Sequence, residues 1–181
     1  MKKKYELTEE TKTLANGTVL RRIRAVMDIT LAGVKNVRAG DLGGWIERED
    51  NLSHCGEAWV YGEARVYGEA LVYGNALVCG EARVYGNALV CGEALVCGNA
   101  KVKDYHDYSV FKNTWSSGRW FTYTRSDKMW AVGCFRGTGD ELVAKAYKDS
   151  KLSGQCYEAI VRAQEAIDKA NALCLQKEEA R

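Results

Sequence analysis

The sequence predicts a mainly β protein, a coil of short parallel strands with a β cap before it and a small α+β module after it. Three observations carry this. A six-residue phrase, Gly-Glu/Asn-Ala-x-Val-Tyr/Cys, runs eight times without interruption over residues 56–103, the last copy ending in Lys103. Within each phrase the residues alternate with the period of two that a strand imposes. A strand and a turn in six residues has the wrong period for a helix and is too short for a hairpin meander.

The repeat has no exception at its inward positions. The valines are Val60, Val66, Val72, Val78, Val84, Val90, Val96 and Val102, and two residues before each stands an alanine, from Ala58 to Ala100. The Gly-Glu or Gly-Asn pair between strands is turn chemistry, because glycine accepts backbone angles that other residues resist.

These phrases resemble the hexapeptide repeat of left-handed parallel β-helices, in which an aliphatic residue is followed four positions later by a small one. In that family three phrases, about 18 residues, make one triangular turn, so the resemblance implies a triangular solenoid over residues 56–103. The stretches "DLGGWIE" and "NLS" ahead of the repeats also resemble proteins carried by bacteriophages and prophages. That resemblance implies a phage-encoded protein working in the host cytoplasm.

The flanks read differently. Residues 1–55 hold two short strands, "KKYEL" and "TVLRRIRAV", around a turn at "ANG", and then a degenerate first coil in "AGDLGGWIERED" and "NLSHCG". A cap is their expected role, since an open solenoid end is an aggregation-prone edge. Residues 104–181 form the C-terminal module. "RWFTYT" and "KMWAVGCF" read as an aromatic hairpin around "RSD". Thr138 and Glu141 form a capping-box signature for a short helix, and a longer helix is expected from about Gln155 to Lys177. Its stripe of Tyr157, Ile160, Val161, Gln164, Ile167, Asn171 and Cys174 is mostly apolar.

A three-phrase turn sorts the outward residues into three columns with rungs about 4.8 Å apart. One carries Trp59, Leu77 and Leu95, then Tyr61, Cys79 and Cys97. Another carries Leu71 and Leu89, then Tyr73 and Cys91. The third carries Arg65, Arg83 and Lys101, then Tyr67, Tyr85 and Lys103. Two faces are therefore apolar and one is basic and aromatic. In the apolar columns Glu alternates with Asn (Glu57, Asn75, Glu93; Glu69, Asn87), which avoids stacked like charges. Glu63 and Glu81 do stack, in the basic column, where Arg65 and Arg83 are expected to compensate them.

The apolar ladders Trp59, Leu77, Leu95 and Leu71, Leu89 ask for a cover: the C-terminal helix on one face and a second copy of the chain on the other, or, as the bland alternative, cover of both faces within the chain. Proteins of the resembling family are commonly trimers, so a homo-oligomer is expected. The basic column, Arg65, Tyr67, Arg83, Tyr85, Lys101 and Lys103, combines charges for phosphate with rings for base stacking. Its bland alternative is a ladder of exposed ion pairs with little energetic weight. The C-terminal residues Trp115, Arg119, Trp120, Tyr123, Arg125, Trp130 and Arg136 form either a module core or an aromatic-plus-Arg recognition surface.

Composition excludes several classes. The 26 Lys and Arg against 24 Asp and Glu leave a formal charge of +2, which neither demands nor forbids nucleic acid. No apolar run reaches the roughly 18 residues of a membrane span. The seven cysteines are odd in number and form no CxxC, so they read as reduced thiols, and no metal site or cofactor is expected. The resembling family contains acyltransferases that use acetyl-coenzyme A with a histidine base beside a loop interrupting the helix. Here no loop interrupts the phrases, and the only histidines, His54 and His106, stand at opposite ends of the repeat. The expected function is thus a non-enzymatic, oligomeric binding protein, antagonising a host defence by taking a host macromolecule or an anionic nucleotide-like ligand. An acyltransferase and a purely structural module are the alternatives.

Overall fold

The computed structural model describes residues 2–30 and 36–179, with side chains through residue 172. The chain divides after Phe135 into two compact units, residues 1–135 and 136–181. The first begins with three strands, β1 (Tyr5–Thr13), β2 (Val19–Ala25) and β3 (Leu42–Ile46). β1 and β2 form an antiparallel hairpin around Gly17, whose φ of 86° suits a residue without a Cβ. β2 pairs antiparallel with β3, and β3 in turn pairs parallel with the repeats.

Each phrase contributes one short strand: β4 (Trp59–Val60), β5 (Arg65–Val66), β6 (Leu71–Val72), β7 (Leu77–Val78), β8 (Arg83–Val84), β9 (Leu89–Val90), β10 (Leu95–Val96) and β11 (Lys101–Val102). They stack in three parallel columns, β4-β7-β10, β6-β9 and β5-β8-β11, the last continuing through β3 into the hairpin. This is a β-solenoid. Every third phrase is in register, as Leu77 opposite Leu95 and Arg83 opposite Lys101 show. The degenerate first coil supplies a rung: Trp45 lies opposite Arg65, and Leu52 bridges to Val72.

Alternation explains the core. The repeat alanines and valines are all buried, and together they form one continuous hydrophobic column with Tyr5, Ile23 and Ile46. Burying each valine contributes roughly 1.5–3 kcal/mol. Space is tight at the alanine position, and in the first coil no side chain fits there. A Cβ on Gly44, which stands where the phrases have alanine, would lie 2.6 Å from Val60 Cγ1 and 2.7 Å from the Ala64 carbonyl oxygen. At the turns, Gly80 has φ 70° and its missing Cβ would sit 2.8 Å from Gly98 N.

Solenoid ends expose unpaired backbone groups, and buried ones must find partners. At the N-terminal end, the buried Lys4 Nζ donates to the carbonyls of Ala58 (2.7 Å) and Gly56 (3.3 Å). Tyr5 Oη donates to the carbonyls of Glu49 and Leu52, and Asn51 Nδ2 to those of Gly68 and Ala70. At the other end, side-chain oxygens accept from the last strands. Thr122 Oγ1 takes Leu95 N–H, Ser126 Oγ takes Lys101 N–H and Asp107 Oδ2 takes Lys103 N–H.

The hairpin expected from the aromatic stretches forms as β13 (Trp120–Thr124) and β14 (Met129–Val132), following β12 (Tyr108–Lys112). With β15 (Phe135–Gly137) these make a four-stranded sheet of order β12-β13-β14-β15. The outer strands carry little signal in the sequence, because "YSVFK" and "FRG" are short and lack strict alternation.

The second unit holds two helices, α1 (Gly139–Asp149) and α2 (Lys151–Glu179). Thr138 caps α1, its Oγ1 accepting Glu141 N–H while Glu141 Oε2 accepts Thr138 N–H, the reciprocal box read from the sequence. α2 begins four residues ahead of the expected Gln155, because Ser150 restarts the chain, its Oγ accepting Ser153 N–H. On its stripe Val161 and Gln164 are buried, while Ile167 is 43% exposed. The Cys174 side chain lies outside the described residues. No helix among the described residues is long and apolar enough to cross a membrane.

Candidate anion-binding face

The basic column is assembled as its period requires. Arg65, Arg83 and Lys101 are in register on β5, β8 and β11. Tyr67, Tyr85 and Lys103 follow, one inward valine later. The two tyrosine rings stack, with centroids 5.4 Å apart and planes 11° from parallel. Arg83, Lys101 and Lys103 are exposed, while Arg65 and both rings are half-buried. Burial, and then the neighbouring Tyr85, raises the Tyr67 phenol above its ordinary pKa, against the pull of Arg83 and Arg65.

The expected compensation of Glu63 by Arg65 does not form. Lys12 of β1 takes Glu63 instead, and its hydrogen bond is the main cause holding that carboxylate below its usual pKa. The reason is tertiary: the hairpin brings Lys12 over the end of the column. Neither Arg65 nor Arg83 makes an ion pair among the described residues, and Arg65 Nε is buried with no hydrogen-bond partner. The Glu/Asn alternation in the apolar column does what its spacing implies, since Asn75 Nδ2 donates to Glu93 Oε1 at 2.7 Å.

Trp45 belongs to the same column and lies outside the residues that the sequence reading singles out. It stands opposite Arg65, with Lys12 Nζ 4.6 Å and Arg22 Cζ 5.3 Å from its ring centroid. A signal for it is present: "GWIE" aligns with "ARVY" once glycine is allowed at the alanine position.

The first apolar column is largely covered within the chain, so Trp59 and Leu77 do not present the outer face expected of them. Trp59 is fully buried and Leu77 is 6% exposed. Tyr5 meets Trp59 edge-on at 6.3 Å. Leu95 is half-buried against β13, its N–H donating to Thr122 Oγ1. In the other apolar column Leu71 is half-buried and Leu89 is 48% exposed, with Tyr108 Oη donating to the Leu89 carbonyl at 2.8 Å.

The candidate recognition surface splits. Tyr123 and Trp130 are buried, their rings 5.1 Å apart, so they belong to the sheet's core. Trp115 and Arg125 are half-buried, and Arg125 donates to the His106 carbonyl. Arg119 and Trp120 are exposed, with Lys112 Nζ 5.1 Å from the Trp120 ring. Arg136 is exposed and lies in the second unit.

His54 is engaged at both nitrogens. Its Nδ1 accepts Lys4 N–H at 3.3 Å, Nε2 lies 2.9 Å from Glu49 Oε1, and the ring stacks on Tyr5 at 4.3 Å. His106 is exposed in a short turn, where its backbone N–H donates to Asp104 Oδ1. Cys79 and Cys97 are half-buried thiols on neighbouring rungs. Among the described residues no group of three or more His, Cys, Asp or Glu is placed to hold a metal ion.

The fold and this face together define a β-solenoid repeat protein. Residues 64–80 and 82–98 match the YdcK beta solenoid repeat, and those segments contain Arg65, Tyr67, Arg83 and Tyr85. The match makes these rungs similar to that repeat. No curated protein matches the chain.

Proposed function

We propose that this protein is a non-enzymatic binding module, built on a left-handed parallel β-helix, that takes an anionic ligand on its basic face. The observation that carries the reading is the row Arg65, Arg83 and Lys101. Among the described residues these three in-register cations have no ion-pair partner, and they lie beside a stacked tyrosine pair. Adjacent like charges on neighbouring strands are unfavourable. A bound anion relieves that repulsion and supplies acceptors to the exposed Arg83 guanidinium and Lys101 ammonium. The engagement of both His54 nitrogens supports a capping role for that residue over a general-base role.

The resemblance to phage-carried proteins gives the context: a small phage protein that antagonises host defence by sequestering an anionic, nucleotide-like ligand in the host cytoplasm. Leu71 and Leu89 are the residues left to join copies of the chain into a homo-oligomer. The test is native mass spectrometry of protein purified from cells, followed by titration with inorganic tripolyphosphate at low salt. Wild type should carry or bind the anion, and Arg83→Glu should not while keeping its fold. Failure of the wild type to bind in both measurements refutes the reading.

A further inference from the structure

Resting on the anion-binding reading above, we infer that the ligand of this face is a single-stranded nucleic acid lying across the rungs. Its phosphates follow the Arg65, Arg83, Lys101 row and its bases follow the Tyr67, Tyr85 row. The order of chemistry along each rung points to this ligand. Carboxylate, cation and ring succeed one another as Glu63, Arg65, Tyr67 and again as Glu81, Arg83, Tyr85. The residues between them, Ala64, Val66, Ala82 and Val84, are buried. Cations and rings therefore form two parallel rows about 6.6 Å apart, the advance of two strand residues.

A strand with its phosphates on the cation row and its bases on the ring side places no phosphate beyond the cations on the side of Glu63 and Glu81. A duplex, with phosphates on both flanks, meets those carboxylates. An acidic peptide satisfies the cations and leaves the rings unused. The row spans two rung spacings, roughly 10 Å, which matches about three phosphate steps of a stacked single strand at about 3.4 Å each. Rings on which bases stack, beside a basic track for the backbone, are the general means of binding single strands with little sequence preference.

The experiment is fluorescence anisotropy with three labelled probes: a sixteen-nucleotide oligothymidylate, an abasic chain with the same phosphates, and a G·C-rich duplex of sixteen base pairs. Unlabelled tripolyphosphate serves as competitor, and salt runs from about 25 to about 200 mM. For three phosphate contacts the slope of log K against log salt should be about −2, falling to about −1.4 in Arg83→Gln. Removing the bases, or making Tyr85→Leu, should weaken binding roughly 5- to 150-fold. Circular dichroism of both variants checks that the solenoid is intact.

Equal affinity for the abasic chain, or tighter binding of the duplex, overturns the single-strand inference and leaves the anion-binding reading in place. Binding of tripolyphosphate without the oligonucleotide does the same. Absence of binding by every probe and by tripolyphosphate at the lowest salt overturns both.

Discussion

Lys4 closes the N-terminal end of the solenoid, and its titration offers a quantitative test of how that end is held. The residue is 3% exposed, and its Nζ donates to the carbonyls of Ala58 and Gly56. Burial, opposed by Cys55 and Glu57, lowers its pKa from 10.5 to about 8. The unfolded chain keeps the ordinary value, so between these two pH values the unfolded state holds a proton that the folded state has released. Stability therefore rises with pH across the window, and the cost of the buried charge is fully present below pH 8. A fall from 10.5 to about 8 corresponds to about 3 kcal/mol, of which about 2 kcal/mol is recovered between about pH 7 and about pH 9.5. The assay is urea unfolding of wild type and Lys4→Met, with reductant, at several pH values in that range. Titrating groups that do not act on Lys4 are common to both proteins and cancel in the difference, and Cys55→Ser in both backgrounds removes the one thiol that does act on it. Wild type should gain about 2 kcal/mol on the variant across the range. A difference that stays flat with pH would show that the two carbonyls fully offset the desolvation of the ammonium, and the reasoning would fail.

Gly80→Ala should destabilise by more than the roughly 1–2 kcal/mol of a left-handed alanine, because its Cβ meets Gly98 N at 2.8 Å. Gly92→Ala, with φ 65° and nothing within 4 Å, should cost only the conformational part, and comparing the two urea midpoints checks this. Val84→Ala removes two buried methyl groups from the middle rung and should cost about 2–3 kcal/mol in the same assay. His54→Ala should lower thermal stability through loss of the Tyr5 stack and the Lys4 hydrogen bond. Anion binding on the basic face should stay unchanged in that variant, and a loss of binding would place the site at the cap instead.

The solenoid is legible in the chain alone, because every phrase repeats the same local solution. Alternating Ala and Val must point inward, and the glycine must turn, so the columns follow from a period of six and a stack of three. The α1 cap is equally legible, since Thr138 and Glu141 satisfy each other within one turn of chain. What lies over the columns is set by tertiary contacts. Trp59 and Leu77 read as an interface from their outward position, yet they are buried within the chain. Lys12, distant in sequence, takes Glu63 and leaves Arg65 without an ion pair among the described residues. At that rung an expected charge pair thereby becomes a cation without an ion pair among the described residues. The reason is physical. A repeat specifies its own hydrogen bonds and inward packing through neighbours a fixed number of residues away, whereas cover and charge compensation come from segments brought close only by the fold.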